Sequence, residues 1–461
     1  MLRVRSDPPH GDIFADGAGP RPILGARHAV AICIGIVIGA GVFRTPSLVA
    51  ANSADAFVFA AAWIAGGLLS IVGALCYAEL ASAYPGVGGD YSYLKRAFGA
   101  RVGFIYAWAR LSVIQTGSIA LLAFVFGDYL AEIVDIGPRG PVLFAAAIVI
   151  LLTALNRAGA RQGAGAQLWL MLLEVGGLLL ITAAAFLLVP PAPASAVAAA
   201  PEGSALGLVM VFVLLTFGGW SETVYVTAEL RGGRRRIAGV LVASLALVTL
   251  LYLLVNLAFL HALGLGGMAA SDAVAADAMR LAMGDAGAVA ISLIVAVAAL
   301  SSANATVITG ARTGHALGEN TPALGWLGRW DGARGTPGNA LLAQGAVALL
   351  LVVLGGLSRD GFAAAVEFTA PVFWLAMFGV GVALFVLRRR EPGVDRPFRV
   401  PLYPLTPAIF CATSLYLLWS SIAYTGVSAL AGVALLAVGA ALSLFIRLSP
   451  NGSPSEKEFA R

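Results

Sequence analysis

The chain has 461 residues, of which 59% are hydrophobic and only 11% are charged, and its formal net charge is +5. Soluble globular proteins carry about 25% charged residues. The composition therefore excludes a soluble globular protein and predicts an all-α protein that crosses a membrane many times.

Twelve segments are long and apolar enough to span a bilayer, since a spanning helix needs about 20 apolar residues. These spans 1 to 12 cover residues 28–51, 56–83, 100–132, 140–158, 165–189, 205–229, 237–262, 286–316, 339–356, 362–388, 405–424 and 427–447. Before them, residues 1–24 are polar and rich in Pro and Gly, which predicts a disordered N-terminus. Residues 448–461 form a polar tail.

The basic residues are distributed unevenly between the two sides of the membrane. The N-terminus, the tail and the loops after every even-numbered span hold most of the Arg and Lys residues, whereas the opposite loops hold only Arg139, Arg280 and Arg359. Cytoplasmic loops are the ones enriched in Arg and Lys. We therefore expect both termini to be cytoplasmic in a multi-pass protein of the plasma (inner) membrane. Basic residues spread along membrane edges do not predict nucleic-acid binding.

Span 1 contains an irregular stretch from Gly35 to Pro46. Gly35, Gly39 and Gly41 occur within seven residues and are closely followed by a proline. Each glycine costs about 1 kcal/mol relative to alanine inside a helix, and proline disfavours helix at the preceding residue. The stretch predicts a break in the helix. Broken backbone is tolerated in hydrocarbon only where it is buried in protein or lines a polar cavity.

A second break is predicted in span 6, where Gly218 and Gly219 interrupt an apolar run and Glu222 follows within one turn. The two breaks are five spans apart, an odd offset that inverts their orientation across the membrane. Matching interrupted segments in two halves indicate a transporter binding site at the midplane. The alternative is a packing seam in which small residues let helices approach closely. Two breaks at this spacing favour the binding site.

Several motifs resemble the amino acid–polyamine–organocation superfamily, particularly its L-type amino acid transporter branch. They begin at Gly35 (GIVIGAGVF), Tyr84 (YPGVGG), Phe217 (FGGW, followed by VTAEL), Ser301 (SSAN) and Arg388 (RRREP, followed by RPFRVP). The resemblance covers about residues 25–447 and implies a LeuT-like fold with discontinuous helices 1 and 6. In that fold, an inverted repeat of five plus five helices would occupy 28–189 and 205–388, followed by two extra helices in 405–447.

The resemblance also implies a substrate site at the two breaks. The amides of Gly39, Ala40 and Gly41 would meet a substrate carboxylate. Carbonyl groups near Ile36 and Val37, and in span 6 near Leu215, Thr216 and Gly218, would meet its ammonium group. Further members of the implied substrate-binding set are Phe217, Gly219, Trp220 and Glu222. Ala40 replaces a common serine, Leu215 replaces an aromatic gate, Ser221 replaces an asparagine, and Ala228 with Glu229 replaces a pair of glutamates.

Charged residues inside spans are candidates for function because their burial is costly. Glu174 lies in an otherwise apolar part of span 5, where the resemblance implies a lysine that bridges helices 1 and 8 in proton-coupled relatives. Removing a carboxyl group from water favours its protonated form, so Glu174 is a candidate carrier of a coupling proton. The alternative is a structural ion pair with Arg110 of span 3.

Polar residues of span 8 form the last candidate group. By resemblance, Ser302 and Asn304 face the region where sodium-coupled relatives hold an ion. The alternative is hydrogen bonding between helices, which polar side chains provide in membranes.

Signatures of enzymes, metal sites and cofactor sites are absent from the sequence: it has no GxSxG motif, phosphate-binding loop, paired catalytic carboxylates or metal-ligand spacing of its histidines and cysteines. The expected protein is a secondary transporter of amino acids or related amines, most simply a proton symporter. An obligatory exchanger, a non-transporting amino acid sensor and a cation channel remain alternatives. No cofactor, nucleic-acid partner or accessory subunit is indicated.

Overall fold

The computed structural model describes residues 26–84, 89–159, 164–193, 205–222, 236–358, 360–423 and 427–446. The predicted disordered N-terminus and the C-terminal tail lie outside these ranges. Among the described residues the regular structure is helical, as the composition predicts.

The first span is two short helices, as predicted. Helix α1 (Ala26–Val37) ends inside the glycine-rich stretch, a 3-10 turn follows at Ala40–Phe43, and α2 (Thr45–Asn52) completes the span. Gly39 at the break is extended, with φ −105° and ψ 174°. Pro46 lies in the first turn of α2, where its missing N–H would have no helical partner anyway.

Helices α3 (Ala56–Ala83) and α4 (Gly89–Phe98) follow, and α4 is a short helix in the connection between spans 2 and 3. Helix α5 (Ala100–Ala131) contains a π-helical turn at Arg110–Ile114. The sequence does not predict this turn. The first half ends with α6 (Gly140–Arg157) and α7 (Ala164–Leu188).

The sixth span is also broken, as predicted. Helix α8 (Ala205–Thr216) ends at Thr216, the chain turns through residues 217–219, and helical structure resumes at residues 220–222, where this described range ends. Gly219 has φ +93°, a left-handed conformation that glycine adopts without steric cost.

The remaining helices are α9 (Ile237–Ala269), α10 (Val274–Asn320), α11 (Gly338–Gly355), α12 (Gly361–Arg390), α13 (Leu405–Ala423) and α14 (Val427–Phe445). Helix α10 begins twelve residues before the predicted start of span 8, because its first part continues across a kink at Gly284. Helix α9 likewise extends past the predicted end of span 7 through a kink at Gly264.

Ten of the described helices are long and apolar enough to span a membrane. Neither broken span contributes a single continuous helix to that number, because α1, α2 and α8 are each shorter than a bilayer crossing. The architecture is therefore an all-α membrane fold with interruptions where the sequence predicts them, and the total of twelve crossings stays a prediction.

Large aromatic side chains pack around the second break. Trp63 of α3 lies 6.2 Å from Phe217 and 5.9 Å from Tyr252 of α9, measured between ring centroids. On the opposite side, Trp220 stacks edge-on against Tyr77 at 5.0 Å and against Phe410 at 6.3 Å. These rings hold the irregular backbone of span 6 between α3, α9 and α13.

Candidate functional site

The two breaks lie against each other at the centre of the bundle. A Cβ atom built on Gly219 would be 2.6 Å from the carbonyl oxygen of Ile36, so only glycine allows this approach of the two backbones. A Cβ atom on Gly41 would be 3.9 Å from the Thr216 methyl group. The structure thus brings together the two stretches that are 180 residues apart in sequence.

Part of this region is accessible although its surroundings are buried. Ile36, Gly39 and Gly41 of the first break and Leu215, Gly218 and Gly219 of the second are only half-buried. A Cβ atom on Gly39 would meet nothing within 4 Å. Four of these six half-buried residues are glycines, so much of the accessible surface at the two breaks carries no side chain.

The first break offers hydrogen-bond donors. Ala40 and Gly41 begin the 3-10 turn, and the first amides of a helix have no partner within it. The Gly39 amide, in contrast, donates to the Val37 carbonyl at 2.9 Å. Three amides, those of Gly39, Ala40 and Gly41, are expected to meet a carboxylate. Of these, the amides of Ala40 and Gly41 are the first two of the 3-10 turn. The positive end of a helix favours an anion at this position.

Both breaks also offer acceptors, since α1 ends at Val37 and α8 ends at Thr216. The hydroxyl group of Tyr252 lies 3.0 Å from the Val37 carbonyl oxygen and 3.4 Å from the Thr216 carbonyl oxygen. Tyr252 is fully buried and ties the ends of the two half-helices together. Sequence reasoning missed it, because a tyrosine in an apolar helix has no motif that distinguishes it.

Phe217, Trp220 and Glu222 of the expected substrate-binding set differ in their burial and in the residues around them. Phe217 is fully buried between Trp63 and Tyr252 and contributes packing rather than accessible surface. Trp220 is 7% exposed and lines a small cavity with residues of α3, α12 and α13. Glu222 is half-buried one turn beyond the break.

Arg110 pairs with Glu222 and not with Glu174. The ion pair between Glu174 and Arg110, which was the alternative prediction for Glu174, is therefore wrong. One guanidinium nitrogen of Arg110 donates to Glu222 Oε1 at 2.7 Å. Arg110 also donates to the Tyr106 hydroxyl at 3.2 Å, and Tyr106 donates to Asp90 Oδ2 at 3.0 Å. A chain of polar groups thus runs from the second break through α5 to α4.

Asp90 of α4, at the inner end of that chain, is 3% exposed. Burial raises the pKa of its carboxyl group to about 6, against the lowering effect of the nearby Arg110 guanidinium, and Glu222 raises it further. This acid lies in the connection after span 2, and it was not singled out from the sequence.

Glu174 lies on α7 between the first break and α10. One turn before it, Met171 lies against Gly35, and one turn after it, Gly177 lies beside Ile291 and Ile294 of α10. The Glu174 side chain is buried, with 4% exposure, and among the described residues no group forms a hydrogen bond or ion pair with it.

Asn304 accepts a hydrogen bond from Asn156 of α6 at 2.6 Å. This is the interhelical hydrogen bond named above as the alternative to an ion site. Ser302 is half-buried, and its backbone carbonyl accepts from the Thr306 hydroxyl at 2.9 Å.

Comparison with known proteins gives a consistent result. The family model described as "Amino acid permease" matches residues 24–445. The b(0,+)-type amino acid transporter 1 of Mus musculus is 28% identical over 415 residues, which cover 87% of this chain and 82% of that protein. The Large neutral amino acids transporter small subunit 2 of Oryctolagus cuniculus is 29% identical over 458 residues, covering 94% of this chain and 82% of that protein.

A bacterial relative has a comparable match. The serine/threonine exchanger SteT of Bacillus subtilis (strain 168) is 26% identical over 410 residues, which cover 88% of this chain and 92% of that protein. The match to the family model extends over both broken spans and nearly the whole helical bundle. They fit the LeuT-like fold with discontinuous first and sixth helices.

Proposed function

Because the chain belongs to the amino acid permease family, in the L-type branch of the amino acid–polyamine–organocation superfamily, we propose that it is a secondary transporter that moves amino acids by alternating access. Its transporter domain comprises residues 25–447, with both termini in the cytoplasm and the helices in the plasma (inner) membrane. The substrate binds where the two broken spans meet.

The observation that carries this proposal is the contact between the two breaks. Ala40 and Gly41 supply amides for an α-carboxylate, and the ends of α1 and α8 supply carbonyl groups for an α-ammonium. Donors and acceptors of this kind match the zwitterion common to all amino acids. Because four of the six half-buried residues at the breaks are glycines, this part of the site recognises the amino acid core and not its side chain.

We further propose that Glu174 couples transport to a proton. No cation of the described residues pairs with the buried Glu174 carboxyl group, and a buried carboxyl group without such a partner is costly to ionise, so it holds a proton until its surroundings change. Its position between α1 and α10 links its protonation to the arrangement of the first broken span and α10. Binding and release of the proton would thereby depend on how these helices are arranged.

Obligatory exchange is the second candidate, and the name of the SteT relative favours it. An exchanger returns to its starting conformation only with substrate bound. The two candidates differ in one measurable property: an exchanger shows uptake only into vesicles that are preloaded with substrate, whereas a symporter accumulates substrate in empty vesicles when a pH gradient is imposed.

The proposal is tested with the purified chain alone. Thermal shift in detergent is measured with each of the twenty amino acids and common amines, and the ligands that stabilise the protein are then tested for uptake into proteoliposomes. Binding without saturable flux would support a sensor, and flux that is neither saturable nor stimulated by counterflow would support a channel. The absence of any stabilising ligand in the panel would refute the amino acid assignment. Uptake by the chain alone would show that no accessory subunit is required.

A further inference from the structure

Arg44, immediately after the first break, is the buried centre of an ionic cluster whose carboxylates are more exposed: the side chains of Asp128, Asp360 and Asp272 are 17%, 28% and 90% exposed. The residue is 4% exposed. Its guanidinium donates to Asp360 Oδ2 at 2.8 Å and to Asp272 Oδ1 at 3.2 Å, and its Nε atom lies 3.4 Å from Asp128 Oδ2. Further donor bonds reach the Ser47 hydroxyl at 2.7 Å and the Ser271 carbonyl at 3.3 Å.

The three aspartates belong to three different elements. Asp128 lies near the end of α5, Asp272 lies in the connection between α9 and α10, and Asp360 precedes α12 and caps it by accepting from the Ala363 amide at 3.0 Å. Arg44 itself is at the start of α2, in the broken span. One guanidinium therefore joins the outer half of span 1 to three other parts of the bundle.

A second set of contacts lies beside this cluster. The Tyr129 hydroxyl donates to the Phe43 carbonyl at 2.7 Å, and the Ala275 amide donates to the Tyr129 oxygen at 3.3 Å. Phe43 and Tyr129 are both fully buried. The segment that begins α10 is thus packed onto the first break and α5, on the side that the charge distribution predicts to be external.

A buried guanidinium is stable only with charged partners, and removing one partner of a buried ion pair is strongly destabilising. The bonds of Arg44 consequently tie the start of α2 to Asp128 of α5 and to Asp360, which precedes α12. Leu215, at the second break, is half-buried and aliphatic. Closure on this side thus depends on the ionic cluster and the contacts of Tyr129.

We propose that Arg44, Asp128, Asp272 and Asp360 form an ionic outer gate. The gate is closed while the guanidinium bridges the three carboxylates, and it opens when α2 moves and these bonds break. The inference rests on the proposed transport function, because a gate is meaningful only for a substrate path between the two breaks and the exterior.

Arg280 offers a matched control. It also meets three carboxylates, Asp277 at 2.6 Å, Asp285 at 3.4 Å and Glu132 at 2.5 Å. Its side chain is 40% exposed, and none of these partners lies on the broken span. Removing its charge changes the net charge of the outer face as much as removing that of Arg44 does, but breaks no bond to α2.

The test measures access to the site from outside. Cysteine is introduced by Leu215→Cys, and intact cells are treated with a membrane-impermeant maleimide; the chain without this substitution reports any reaction of its own cysteines. Arg44→Gln is expected to raise the labelling rate about tenfold or more, because a lost buried ion pair shifts an equilibrium by at least that factor. Asp360→Asn is expected to raise it in the same direction and still caps α12, since asparagine is also a good N-cap.

Arg280→Gln is expected to leave the labelling rate unchanged. The proposal is overturned if both Arg44→Gln and Asp360→Asn label at the parental rate, or if Arg280→Gln accelerates labelling equally. Melting temperatures in detergent identify a variant that fails to fold, in which case the other gate variant decides the result. Labelling requires no substrate, so a failed ligand panel would refute the proposed function without affecting this measurement.

Discussion

Gly219 lies directly against the carbonyl of Ile36, so that a Cβ atom at position 219 would be 2.6 Å from the Ile36 oxygen. Gly219 also has φ +93°. Both facts exclude a side chain at the point where the two broken spans meet. The close approach brings the donors of one break and the acceptors of the other within reach of a single small molecule.

Gly219→Ala is expected to separate the two breaks and to lower uptake by about tenfold or more, because the added methyl group clashes with backbone and the left-handed conformation costs ~1 kcal/mol in addition. Uptake and melting temperature are measured together. Gly176→Ala is the control, since Gly176 is exposed on α7 and its Cβ would meet nothing within 4 Å. An active, stable Gly219→Ala protein would contradict the contact.

Gly39→Ala is expected to keep the protein stable and to weaken substrate binding. Gly39 has φ −105°, which alanine adopts easily, and the added methyl group would enter open space. Stability should therefore be retained, while the methyl group occupies the space beside the amides of Ala40 and Gly41. We expect substrate affinity to fall about tenfold, measured by titration of the thermal shift. Unchanged affinity would place the substrate elsewhere.

Tyr252→Phe removes the hydroxyl group that lies beside the ends of α1 and α8 and keeps the ring contacts with Trp63 and Phe217. A typical hydrogen bond contributes about 1 kcal/mol. We expect a small loss of stability and a several-fold weaker substrate binding, because the acceptor carbonyls are no longer held together. Tyr416→Phe, a change of a half-exposed tyrosine on α13, is the control and should leave binding unaffected.

Glu174→Gln is expected to abolish uptake driven by a pH gradient and to retain substrate binding, because glutamine is close in size to glutamic acid but cannot exchange a proton. Uptake is measured in proteoliposomes with and without an imposed gradient, and binding by thermal shift. Persistence of gradient-driven uptake would show that Glu174 does not carry the proton. Retained counterflow in the variant would show that the rest of the cycle is intact.

Asp90→Asn is expected to remove a pH dependence of stability. The pKa of the buried Asp90 carboxyl is raised from 3.8 to about 6 in the folded protein. The folded state then binds more protons than the unfolded state between these values, so stability is highest below the lower pKa and falls as pH rises through the upper one. The melting temperature of the parent should drop between pH 4 and pH 6 by more than that of the variant. Equal pH profiles would contradict the raised pKa.

Both breaks could be predicted from the residue types within each stretch. The glycines and Pro46 of the first and the Gly-Gly pair of the second weaken a helix wherever they occur, so their effect is readable from neighbouring residues alone. The ten continuous helices follow in the same way from the length of each apolar run. The ends of α9 and α10 were misjudged because helix continues past Gly264 and Gly284 at kinks that hydropathy does not show.

The partners of the charged side chains were decided only by the tertiary structure. Arg110 bonds Glu222, 112 residues away, and Arg44 bonds Asp360, 316 residues away. Which way a side chain faces depends on helix rotation, and the π turn at Arg110–Ile114 changes that rotation within α5. The sequence by itself determined where the backbone breaks, because that depends on local propensity. Packing determined that the breaks meet, that Tyr252 joins them and that no cation in the described part of the chain pairs with Glu174, because these depend on residues brought together from distant helices.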